Sequence, residues 1–102
     1  MLERFKKLLH EEDVSSTIKK MVKSSGRSAK TINSGSCGVF AYQLHKKLPG
    51  SKVKASHEHK SVFPGHEWVY HKGKHYDAES PEGVKRPKDL HYSKRMYSLI
   101  KK

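Results

Sequence analysis

Four residue types in this chain could do chemistry together. Cys37 sits in Gly35-Ser36-Cys37-Gly38. His66 heads the run His66-Glu67-Trp68-Val69-Tyr70-His71. Two carboxylates, Asp77 and Glu79, follow in Lys74-His75-Tyr76-Asp77-Ala78-Glu79. A thiol attacks carbonyls well only as the thiolate, and a helix N-terminus or a neighbouring imidazolium lowers its pKa. A histidine serves such a thiol when a third group fixes its ring orientation and tautomer. The chemistry on offer is acyl transfer, with sulfur as nucleophile, imidazole as proton carrier and a carboxylate as orienter. Against it stands a plainer reading: Cys37, the only cysteine, is a small buried hydrophobe.

The elements that must position these groups are readable. Cys37, Phe40, Ala41, Leu44 and Leu48 recur at i, i+3, i+4, i+7 and i+11, one face of a helix. Ser36 is the expected N-cap, and Pro49-Gly50 ends the helix. Cys37 then falls in the first turn on the inward face, with Gly35 and Gly38 keeping bulk away from the sulfur. Tyr42 and Gln43 lie off the apolar stripe. Residues 66–71 and 74–79 read as strands joined by a tight turn, with Gly73 available for positive φ. A turn centred on Lys72-Gly73 pairs residues whose numbers sum to 145, whereas a loop of odd length breaks that parity. His66 then faces Glu79 and Trp68 faces Asp77, all four on one side of the hairpin. His66 and Asp77 become diagonal neighbours, roughly 7–8 Å apart at their α-carbons, while Glu79 is the rival directly opposite.

The remainder is read more coarsely. Leu2, Phe5, Leu8 and Leu9 predict a short amphipathic helix. Asp13, Ser15 or Ser16 would cap a second one carrying Ile18, Met21 and Val22. Residues 24–36 read as a polar loop, "KVKAS" as a strand, and residues 88–102 as partly helical. The expectation is one α+β domain over 1–102: a helical N-terminal extension at 1–30, a core at 35–84 in which a helix packs on a small antiparallel sheet, and a helical segment at 88–102.

"GSCGVFAYQL" followed by "HEWVYHKGKHYDAESPEGV" resembles the transglutaminase-like branch of the papain-like thiol fold. The matching positions are Gly35, Cys37, Phe40 and Ala41, then His66, Trp68 and Val69, then Tyr76 with Asp77. The match runs from Gly35 to Val84, about half the chain; it also resembles small phage-encoded proteins. The resemblance implies a Cys37–His66–Asp77 triad and prefers Asp77 over Glu79. It implies a cysteine hydrolase of amide, isopeptide or ester bonds, with acyl transfer to an amine as the alternative, and no cofactor. The papain-type glutamine that helps hold the oxyanion has no counterpart. Asn33 or the Cys37 backbone N–H would replace it, and Ser36 and Trp68 join Asn33 as oxyanion or substrate-binding candidates.

Charge supplies the competing readings. The 102 residues carry 22 Lys+Arg against 10 Asp+Glu, a net charge of +12, so any acidic partner is attracted. An acidic protein or peptide substrate fits this. So does a non-enzymatic module binding nucleic acid or protein, through Lys46, Lys47, Lys52, Lys54, Lys72 and Lys74. Among eight histidines, His57 and His59 on one strand face, joined by His66, His71 or His75, would suit zinc; lacking a ligand signature of known spacing, no metal is expected. One cysteine forms no internal disulfide, no run is long enough for a membrane span, and no signal peptide shows. A cytoplasmic protein is expected, in the host cytoplasm if phage-encoded, with no membrane partner.

Overall fold

The computed structural model describes residues 10–100; the helix expected around Leu2–Leu9 lies outside them. Four α-helices and one antiparallel sheet of four strands form an α+β domain among the described residues. The helices are α1 (His10–Ser25), α2 (Ala29–Gly35), α3 (Cys37–Lys47) and α4 (His91–Ile100). The strands are β1 (Lys52–Ala55), β2 (Glu67–His71), β3 (Lys74–Asp77) and β4 (Ser80–Val84), hydrogen-bonded in the order β1-β2-β3-β4. Short 3₁₀ turns lie at Ser56–Glu58 and Pro87–Asp89.

The apolar stripe of α3 does what its spacing dictates. Phe40, Ala41, Leu44 and Leu48 are buried against Val69, Tyr76 and Ala78 of the sheet region. Val14 and Ile18 of α1 are buried in that same cluster, and α1 lies against β4, so the described part of the N-terminal region completes the core. The helix also starts earlier than expected. Asp13, Ser15 and Ser16 lie inside it, because Val14 extends the row of Ile18, Met21 and Val22 by one turn.

The stretch expected as a polar loop holds α2. Ser28 is its N-cap, in extended conformation, with its hydroxyl oxygen accepting from the Thr31 N–H at 3.2 Å. One capped turn and one buried Ile32 hold seven otherwise polar residues helical, a tertiary effect that outweighs local propensity. Ser36 does occupy the N-cap position of α3 but makes no capping bond with its side chain. Its hydroxyl oxygen accepts from Arg27 at 3.1 Å, and its N–H closes α2 on the Ile32 carbonyl at 2.7 Å.

The β2–β3 hairpin has the anticipated register: Val69↔Tyr76, Tyr70↔His75 and His71↔Lys74. Lys72 at φ 49° and Gly73 at φ 86° make the two-residue turn with positive φ at both central positions, whose twist matches the strands. Strand β4 escaped the sequence reading because Ser80-Pro81-Glu82-Gly83-Val84 looks like a breaker. It is an edge strand, where a proline without an N–H is tolerated, and its pairing with β3 is irregular between His75 and Asp77.

Trp68 is a core residue rather than a substrate platform. It is fully buried with Val62 and Leu90 in a second small core, so its ring presents no face to a substrate. Its indole N–H donates to His75 Nδ1 at 2.9 Å. Burial, then the positive charges of His59 and Lys54, push His75 down to about 4 from an ordinary 6.5. In the folded protein His75 therefore stays neutral over a range in which the unfolded chain takes up a proton. Stability falls as pH drops from 6.5 toward about 4. His66, whose pKa is raised, acts in the opposite sense near pH 6.5 and adds little once both states hold its proton. The urea midpoint is expected to fall through this window, and His75→Gln, which keeps an acceptor but cannot titrate, to flatten the dependence. An unchanged slope in His75→Gln would assign the acid sensitivity elsewhere.

Candidate active site

Cys37 is half-buried in the first turn of α3, beside the start of β2. His66 is 1% exposed, and its Nε2 lies 2.8 Å from Asp77 Oδ2. The other carboxylate oxygen, Asp77 Oδ1, accepts the Glu79 backbone N–H at 3.0 Å. A carboxylate only accepts, so Nε2 is assigned as the protonated nitrogen, which leaves Nδ1 for the thiol. Nδ1 is buried and has no hydrogen-bond partner among the described residues. The thiol itself donates to the Gly65 carbonyl at 3.6 Å. Sulfur and imidazole are thus close enough to perturb each other without a completed hydrogen bond between them.

The perturbation has a clear sign. The adjacent His66 ring is the largest influence on Cys37 and lowers its pKa. Burial raises it, the Glu67 backbone N–H and the His66 charge lower it, and the Glu67 carboxylate raises it; the net shift is downward. For His66, burial is the largest influence and pushes down. The Asp77 carboxylate bonded to the ring, and the nearby Cys37 sulfur, outweigh it, and the net shift is upward. Both shifts favour a thiolate–imidazolium pair.

Several groups fix the imidazole. The Tyr92 ring of α4 stacks on it at 4.1 Å between centroids and 19° between planes, and Trp68 lies nearly parallel at 5.8 Å. The Ser56 hydroxyl oxygen accepts the N–H groups of Gly65 and His66 at 2.9 and 3.2 Å, holding the backbone that carries the ring. Glu79, the rival orienter, is engaged elsewhere. Arg95 binds it with two nitrogens, at 2.8 and 3.1 Å, and the Asn33 amide donates to it at 3.0 Å. Burial raises the pKa of Glu79, but those hydrogen bonds and the Arg95 charge bring it below the ordinary value.

The structure therefore brings Cys37, His66 and Asp77 together and spends the proposed auxiliaries differently. The Asn33 N–H faces Glu79 and the Trp68 N–H faces His75, so neither is directed to an oxyanion at Cys37. Ser36 is adjacent to Cys37 and takes the Arg27 hydrogen bond. What remains for an oxyanion are the first-turn amides of α3, among those a helix leaves without internal partners. Sequence reasoning missed Ser56, Tyr92, Arg95 and Glu67. Tyr92 and Arg95 share a helix face three residues apart, but nothing in the sequence ties residues 91–100 to a site ending at Asp77.

The basic and histidine-rich features fall apart in space. Of the six lysines considered for nucleic acid, only Lys46 and Lys47 line a groove of about 740 Å³ between α1 and α3, with Lys20, Thr17 and Gln43. Lys54 lies over Tyr70 on the sheet, and Lys72 sits in the hairpin turn. His57 belongs to a 3₁₀ turn and His59 follows it, so they share no strand face. Among the described residues no three His, Cys, Asp or Glu side chains converge as metal ligands, and no helix is long and apolar enough to cross a membrane. No protein-family model matches the chain, and no curated protein or solved structure matches it either.

Proposed function

We propose that this protein is a cysteine-dependent acyl-transfer enzyme with a Cys37–His66–Asp77 triad on a minimal papain-like, transglutaminase-like core. One observation carries this reading: a buried histidine has one ring nitrogen held by Asp77 at 2.8 Å, and the other, unpartnered, is left for a half-buried thiol at a helix N-terminus. In the proposed reaction the Cys37 thiolate attacks an amide, isopeptide or ester carbonyl, and first-turn amides of α3 receive the oxyanion. His66 Nδ1–H gives its proton to the leaving amine or alcohol, and a thioester to Cys37 remains. His66 then takes a proton from water, which displaces the sulfur and completes hydrolysis; an amine in place of water gives acyl transfer.

The test is a peptide and isopeptide library incubated with the wild-type chain, Cys37→Ser and His66→Ala, with products read by mass spectrometry. Turnover in the wild type alone supports the reading, and turnover unchanged in Cys37→Ser sinks it. The pH profile is also expected to be bell-shaped. Activity rises as the thiol ionises through its lowered pKa, and falls as His66 loses its proton through its raised pKa. His66→Ala removes the alkaline limb along with most of the rate.

A further inference from the structure

The Glu67 carboxylate stands beside the nucleophile and works against it. Its negative charge raises the pKa of Cys37. The residue is exposed, and in a chain of net charge +12 its carboxylate makes no ion pair or hydrogen bond among the described residues. Room has been made for it on the neighbouring helix. Gly38 lies in the first turn of α3 without a left-handed φ, so nothing in its backbone requires glycine, and glycine inside a helix costs about 1 kcal/mol against alanine. A Cβ at position 38 would run into Glu67 Oε1. Gly38 thus leaves open the space in which the Glu67 carboxylate end lies beside the first turn of α3.

We propose that Glu67 is a specificity determinant: its carboxylate receives a cationic group, an ammonium or guanidinium, that a polypeptide substrate carries beside the carbonyl attacked by Cys37. This rests on the acyl-transfer reading above, and it stands beside the acidic substrate that the net charge suggests. The overall positive field acts at long range, where salt screens it within about 10 Å. Glu67 acts at contact distance, where selection is made. The alternative role for the carboxylate is structural, a negative charge placed at the positive end of α3.

Two thiol-modifying probes of opposite charge and identical leaving group separate these roles without a known substrate. Trimethylammonioethyl and sulfonatoethyl methanethiosulfonate each react by attack of the Cys37 thiolate on the thiosulfonate sulfur. A disulfide bond forms to the reagent's alkylthio group, and methanesulfinate departs with the electron pair. Rates are measured on the full chain and divided by those for 2-mercaptoethanol, which removes intrinsic differences between reagents. The ratio of cationic to anionic rates also cancels any change in thiol pKa. That ratio is expected to be about tenfold higher in the wild type than in Glu67→Gln, as expected for unit charges roughly 5 Å apart screened as in bulk water, with attraction of one probe and repulsion of the other counted together. Gly38→Ala is expected to lower the ratio in the same direction, since its methyl displaces the carboxylate while net charge stays the same. Ratios equal within twofold across the three proteins, with Cys37 still reacting faster than in the denatured chain, would overturn the inference and leave the thiol reading standing. A wild-type thiol slower than the denatured chain toward both reagents would overturn both.

Discussion

At about pH 6.5, iodoacetamide is expected to label Cys37 faster in the folded protein than in the denatured chain, the reverse of what burial alone gives. An unperturbed thiol is mostly protonated at that pH. Each unit of pKa lowering multiplies the thiolate about tenfold and costs about threefold in intrinsic nucleophilicity, a net gain of about threefold per unit until the pKa reaches the ambient pH. His66→Ala removes the largest influence that lowers the thiol pKa, while burial and the Glu67 charge continue to raise it. Labelling of that variant at the same pH is expected to fall to the denatured rate or below. The three rate–pH curves decide the matter. A folded protein slower than the denatured chain at every pH would make Cys37 a packed thiol and end the enzymatic reading.

Asp77→Asn is expected to fold and to lose about 10²–10⁴ in kcat/KM on any substrate the wild type turns over, the range for removing an orienting carboxylate or a proton carrier. Asp77 accepts two hydrogen bonds, one per oxygen: from His66 Nε2–H and from the Glu79 N–H. An asparagine has one acceptor oxygen and one donor nitrogen, so it cannot serve both. With its oxygen on the Glu79 amide, its NH₂ faces His66 and forces the imidazole proton onto Nδ1, where a neutral ring can no longer accept from the thiol. With its oxygen on His66, its NH₂ opposes the Glu79 N–H and leaves that donor unsatisfied, at about 1–3 kcal/mol. The NMR titration of His66 should move to lower pH in Asp77→Asn, because the lost carboxylate was one of the groups raising it. Glu79→Gln is the control. It weakens the Arg95 pairing, so thermal stability falls, but the Glu79 backbone N–H still holds Asp77 and Cys37 labelling stays within a few-fold. Full activity in Asp77→Asn with none in Glu79→Gln would reverse the assignment of the orienter.

What the sequence made legible depends on whether neighbours along the chain were enough. The hairpin was legible because a two-residue turn at Lys72-Gly73 fixes parity, and parity puts His66 and Asp77 on one side. Helix α3 was legible because a five-residue stripe at helical spacing leaves little choice of face. Helix α2 was not, since its stability comes from Ser28 capping and Ile32 finding the core, and the second of these is tertiary. Trp68 was placed on the correct side of the hairpin, but which of its neighbours would cover it depends on Val62 and Leu90, from a loop and from the approach to α4. Asn33 failed as an oxyanion donor for a similar reason. Its partner, Glu79, lies 46 residues away and is itself oriented by Arg95.

The stacking of Tyr92 on His66, with Arg95 three residues on gripping Glu79, also bears on when the chain acquires chemistry during folding. Without residues 91–100 packed in place, the imidazole lacks an aromatic wall and the segment presenting Asp77 lacks its anchor. A chain with α4 undocked lacks the ring stacked on His66 and the Arg95 grip on Glu79, and its thiol is expected to be less reactive. Docking of α4 thus ties completion of the fold to the setting of the proposed nucleophile.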